Sequence, residues 1–90
     1  MISREQVLDV VLEHLTDTVE ELEGVEIDPS RSMMDLGANS LDIVEVVSCS
    51  MRELKIKVPR SELNNLENID QLVDLLHRTA VEKAKNADAG

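Results

Sequence analysis

A chain with no Phe, Tyr or Trp must fill its core with Leu, Val, Ile and Met alone. Here those residues fall at three- and four-residue intervals, the spacing of one face of an α-helix. Val7, Val10, Val11, Leu15, Val19 and Leu22 form one series, and Ile69, Leu72, Val73, Leu75, Leu76 and Ala80 another. Between them lies an amphipathic run from Ser40 to Leu54. With 90 residues and 42% hydrophobic side chains, the chain can build one small helical domain.

Local signals mark the ends of these runs. Ser3-Arg4-Glu5-Gln6 has the form of a capping box, which predicts a first helix from about residue 4 to residues 16–22. Gly24 limits it, and residues 28–32, with Pro29, read as loop. A second helix is predicted from Ser40 to near Leu54. Pro59 makes Lys55–Val58 an extended connector. Ser61 is positioned to cap a short helix through Leu66, and Asn68 or Asp70 to open the last helix. The expected fold is all-α, a bundle of three main helices and one short one. The domain is expected over residues 1–83, with 84–90 as a flexible, fraying tail.

Charge narrows the choice of partners. Nineteen acidic against nine basic side chains leave a net charge of −10. That sign disfavours nucleic acid and favours basic protein surfaces. Cys49 is the single cysteine, so no intramolecular disulfide can form, which suits a reducing cytoplasm. The N-terminus lacks the apolar core of a signal peptide, and no run approaches membrane-spanning length. The expectation is a soluble cytoplasmic monomer without membrane insertion.

The block Asp35-Leu36-Gly37-Ala38-Asn39-Ser40-Leu41 joins a turn to the start of the second helix. Gly37 supplies permissive backbone, and Ser40 stands where the helix begins. A phosphate on that hydroxyl would lie near free N–H groups and the positive end of the helix dipole. Taken alone, Ser40 reads as a helix cap. On the same helix, steps of 100° put Ile43, Val46, Val47, Ser50 and Leu54 on a core arc. Leu41, Val44 and Met51 form a second strip, interleaved with Glu45, Ser48 and Arg52. Periodicity leaves open whether this strip is buried or exposed; if exposed, it is a docking face.

The D-x-G-x-x-S-L pattern at 35–41 resembles the prosthetic-group site of acyl carrier proteins. The resemblance extends over nearly the whole chain, including the acidic balance and the Val58-Pro59 step. It implies 4′-phosphopantetheine attached covalently at Ser40 by a phosphopantetheinyl transferase, with Asp35, Leu36, Gly37 and Asn39 shaping the turn. It further implies a non-catalytic protein holding acyl groups as thioesters for an acyltransferase and a ketosynthase or HMG-synthase-like enzyme. The matching docking positions are Leu41, Asp42 and Glu45. Val44, Met51 and Arg52 join them as the continuation of the strip. Asn39 stands where many carriers have Asp, and Leu54 where an aromatic is usual. Met51 and Arg52 stand where fatty-acid carriers show adjacent acids. Residues 50–63, with Met51, Val58-Pro59-Arg60 and Glu62-Leu63, look like free-standing carriers of polyketide β-branching cassettes. That narrower resemblance implies an acetyl donor; fatty-acid and peptidyl or aminoacyl carriers are the neighbouring alternatives.

Other chemistries lack parts. Ser40 is not in a G-x-S-x-G elbow. His14 and His77 are far apart in sequence, and each reads as a solvated helix-surface residue. Cys49 falls off the main apolar arc and has no CxxC partner. A calcium loop over 28–39 would have Met33 in place of Gly and Asn39 in place of Glu, and no intrinsic metal is expected. The rival from another class is an acidic helical interaction domain in which Ser40 is only a cap and no prosthetic group is carried.

Overall fold

The computed structural model describes residues 2–63 and 66–89. Among these, the helices are α1 (Arg4–Thr18), α2 (Ser40–Leu54), α3 (Arg60–Leu63) and α4 (Ile69–Ala89), with a 3₁₀ turn at Glu20–Leu22 and no strand. α1 packs against both α2 and α4. The Ser3 capping box forms as expected: Ser3 Oγ accepts from the Gln6 N–H at 3.2 Å, and the Ser3 N–H donates to Gln6 Oε1 at 2.8 Å. Val7, Val11 and Leu15, four residues apart, are fully buried on α1. They meet Val46 and Val47 of α2, and Leu72, Val73 and Leu76 of α4, in one aliphatic core. Ser50 is also fully buried, and its hydroxyl satisfies itself by donating to the Val46 carbonyl at 2.7 Å.

The connection from the 3₁₀ turn to α2 is long, yet it is anchored at both ends of its path. Leu22, Met33 and Ala38 are buried in the core. The carbonyls of Pro29 and Arg31 accept the N–H groups of Asp70 and Ile69, at 2.9 and 3.1 Å. These are donors that the first turn of α4 cannot satisfy internally. Asn68 takes the next two: its side chain accepts from Gln71 N–H at 2.8 Å and its carbonyl from Leu72 N–H at 3.3 Å. Asn68, rather than Asp70, is therefore the cap of α4.

Several local expectations change. α3 begins at Arg60, so Ser61 lies inside its first turn rather than capping it. The reason is Pro59, whose carbonyl accepts the Glu62 N–H at 3.0 Å and starts the turn early. The expected extension runs partly through residues 64–65, outside the described residues, and Leu66 is not helical. Neither histidine is a solvated surface group. His14 Nε2 lies 2.9 Å from Glu53 Oε1, joining α1 to α2, and His77 Nε2 lies 3.1 Å from the Ile2 carbonyl. Both are half-buried. α4 runs on to Ala89, so the backbone shows no helix break at the expected boundary after residue 83.

α2 ends in a tight reversal. Lys55 adopts the left-handed conformation, φ 58° and ψ 43°. Its N–H donates to the Arg52 carbonyl, and the Ile56 N–H reaches back to Met51 at 3.0 Å. This paired closure satisfies the last carbonyls of the helix. The chain then runs extended, with Ile56 and Val58 buried and Lys57 and Pro59 exposed.

Candidate functional site

The start of α2 differs from the simplest reading of its sequence by one residue. Asn39, not Ser40, is the cap, with extended backbone at φ −92° and ψ 179°. Its side-chain oxygen accepts from the Asp42 N–H at 2.8 Å, and its own N–H donates to Asp42 Oδ2 at 3.1 Å. Ser40 is thus the first residue with helical geometry, and its exposed hydroxyl has no capping duty. The signal was present: Asp42 lies three residues after Asn39, whereas Ile43 lies three after Ser40.

The preceding turn carries the chain out of the core and presents this residue. Met33 is buried, and its carbonyl accepts from the N–H groups of Leu36 and Ala38 at 3.1 and 3.0 Å. Asp35 N–H donates to Ser32 Oγ at 3.1 Å. Gly37 has φ +104°, which side-chain-bearing residues rarely adopt, while a Cβ built there would meet nothing within 4 Å. Backbone conformation, not space, demands glycine. Leu36 packs partly against the core, and Ala38 is buried directly before the cap.

Beyond Ser40 the surface is both apolar and acidic. Leu41 is 80% exposed and Val44 53%, which decides the second strip as an open one at this end. Asp42 and Glu45 lie beside them and, with Leu41 and Cys49, face His14, Asp17 and Thr18 of α1 across a shallow groove. Met51 departs from the strip: it is half-buried against the core. Arg52 is exposed. The six residues expected to dock therefore divide into an acidic, apolar group near Ser40 and a separate pair, Met51 and Arg52, toward the other end of the helix.

The N–H groups of Ser40 and Leu41 make no hydrogen bond among the described residues. An anion on the Ser40 hydroxyl would therefore meet unsatisfied donors at the positive end of a fifteen-residue helix. A model of the phosphopantetheine attachment site matches residues 12–76, which take in the second half of α1, the turn, α2, α3 and the first part of α4. The chain belongs to this family, the acyl carrier proteins. It is 28% identical over 74 residues to the polyketide biosynthesis acyl-carrier-protein AcpK of Bacillus subtilis (strain 168), covering 82% of this chain and 90% of that one. An acyl carrier protein of Campylobacter hominis is 41% identical over 69 residues, 77% of this chain and 82% of its own. Among solved structures, a chain of the curacin biosynthetic pathway HMG synthase in complex with acetyl donor-ACP superposes with a TM-score of 0.76. That match has 34% identity and covers 82% of this chain and 95% of the other. Carriers of this family work with a phosphopantetheine group, and the exposed first-turn serine suits one. Among the described residues, no helix is long and apolar enough to cross a membrane.

Proposed function

We propose that Ser40 is the phosphopantetheine attachment residue and that this carrier serves polyketide biosynthesis as an acetyl donor to an HMG-synthase-like enzyme. The observation that carries the pathway reading is the likeness, at 34% identity and a TM-score of 0.76, to a chain of the HMG synthase complex with acetyl donor-ACP. The polyketide relative from Bacillus subtilis supports the same assignment.

The chain's own residues prepare the site without catalysing a reaction. Asn39 and Asp42 lock the helix start. Gly37 turns the chain into the start of α2, where Ser40 is exposed and accessible to a phosphopantetheinyl transferase. The unbonded N–H groups and the helix dipole favour a phosphate there by about 0.3–1 kcal/mol, the usual worth of a charge at an exposed helix end. When bound, the arm supplies a terminal thiol that holds acyl groups as thioesters. Asp42 and Glu45 then steer basic partner surfaces while Leu41 and Val44 make apolar contact; such interfaces are small, so the carrier can leave for the next enzyme. An acyltransferase loads the arm and an HMG-synthase-like enzyme or ketosynthase unloads it. The carrier unit spans residues 1–83 and acts as a cytoplasmic monomer, without intrinsic metal.

Loading competition tests the pathway. Acetyl, malonyl and aminoacyl forms of the holo-protein are offered to an HMG synthase with a polyketide β-ketoacyl carrier as acceptor. The reading predicts transfer from the acetyl form alone. Efficient use of the malonyl form by a fatty-acid ketosynthase, with no acetyl transfer to the HMG synthase, would return the protein to fatty-acid synthesis.

A further inference from the structure

The charge on α2 reverses along a single face. Glu45 and Arg52 are seven positions apart, so they lie within about 20° of each other around the helix. Asp42 and Arg52 are separated by ten residues, or about 15 Å of helix at 1.5 Å per residue. That is nearly twice the screening length of about 8 Å at physiological ionic strength. A partner therefore meets two local fields of opposite sign, and not their average.

The positive end is a shallow groove. Met51 and Ile56 lie in it, and Arg52, Lys55, Lys57 and Lys83 line it against one carboxylate, Glu82. The methylene stems of such cations add apolar surface beneath their charged heads. In a protein of net charge −10, the side chains of Arg52, Lys55 and Lys57 form no ion pair among the described residues. The nearby Glu53 carboxylate is taken by His14. Helix-dipole compensation covers Arg52 in the last turn and Lys55 at the C-cap, and it fades beyond them. Lys57 lies beyond the helix in the extended connector. Lys83 comes from α4 and donates to the Lys55 carbonyl. Two elements thus converge to concentrate positive charge around an apolar floor.

We propose that this groove is a second docking surface, which takes an acidic segment of a partner enzyme with an aliphatic side chain seated at Met51 and Ile56. The inference rests on the reading of this chain as a carrier that docks on enzymes, and it names the chemistry of one contact. An enzyme reading the whole of α2 presents basic groups near Ser40 and acidic groups about 15 Å further along the helix. That pairing fixes the direction in which the carrier lies and rejects partners that are basic throughout.

The test uses the unmodified full chain, so it is independent of attachment at Ser40. The ¹⁵N-labelled protein is titrated with a synthetic hexapeptide bearing one central leucine among Asp and Glu. Amide shifts are expected at Met51, Arg52, Ile56, Lys57, Thr79 and Lys83, and not at Leu41–Glu45. The double variant R52E/K57E should weaken binding at least tenfold. The charge-matched R31E/R78E, with both sites outside the groove, should weaken it less than threefold. Absence of shifts in the groove at millimolar peptide, or equal loss in the two double variants, would overturn the proposal.

Discussion

Replacing Asn39 by Ala and, separately, Ser40 by Ala distinguishes the two residues that could cap α2. Asn39 Oδ1 accepts from the Asp42 N–H at 2.8 Å, so Asn39→Ala leaves that donor without its partner. Loss of an N-cap costs about 1 kcal/mol, within a range of roughly 0.5–2. Ser40 occupies the first helical position and has no such bond, so Ser40→Ala exchanges an exposed hydroxyl for a good helix former. Its effect should remain within about 0.5 kcal/mol. For a domain of this size, 1 kcal/mol moves the thermal midpoint by roughly 4–8 °C. In urea, with a slope of roughly 1–3 kcal/mol per molar, it moves the midpoint by about 0.3–1 M. Both variants would be unfolded in urea and followed by circular dichroism at 222 nm, with the slope checked for constancy. Asn39→Ser should recover most of the loss. Equal destabilisation by Asn39→Ala and Ser40→Ala would refute the assignment, because the serine would then share the capping load.

Three further perturbations follow from the same structure. Gly37→Ala meets no atom but must hold φ near +104°, so it should destabilise by about 1–2 kcal/mol in the same urea assay, as a purely conformational cost. Lys55→Gly should stabilise by roughly 0.5–1 kcal/mol, because glycine relieves the left-handed geometry at φ 58° that closes α2; an unchanged midpoint would show that the closure is unstrained. The carboxyl of Asp28 is held below its ordinary range, first by the Ser30 hydroxyl and then by the Ser30 backbone N–H. A depressed carboxyl stabilises above its unfolded pKa and loses that contribution as pH falls through its folded one. Asp28→Asn should therefore be less stable than the parent at neutral pH, with the gap closing below about pH 4, measured as thermal midpoints across an acid series.

What could be read from the chain alone was what short-range chemistry controls. The Ser3 box and the extent of α2 depend on residues within four positions of one another, and both match the structure; the connector expected over Lys55–Val58 is extended only from Ile56, because Lys55 closes α2 in the left-handed conformation. The buried arc of α2 was legible for Val46, Val47 and Ser50, while Ile43 and Leu54 are only partly covered. Asn39 and Ser40 are both good capping residues, and only the partner three positions on separates them. Contacts across long separations were not legible. Arg4 reaches Asp74 and Asp70, which hold its guanidinium above its usual pKa. His14 finds Glu53, and the Pro29 and Arg31 carbonyls find α4, only once the helices have packed. The same holds for the basic groove, because Lys83 lies 28 residues beyond Lys55. Whether Leu41 and Val44 were open and Met51 half-covered likewise depended on where α1 and the connector came to rest.

The measurement that bears most directly on Ser40 is the intact mass of the protein after incubation with coenzyme A, Mg²⁺ and a broad-specificity phosphopantetheinyl transferase. The parent should gain a single phosphopantetheine increment, and Ser40→Ala, shown to be folded by its urea midpoint, should gain none. An unmodified parent that stays unchanged while a known carrier is modified in the same reaction would contradict the assignment, as would an increment that persists on Ser40→Ala.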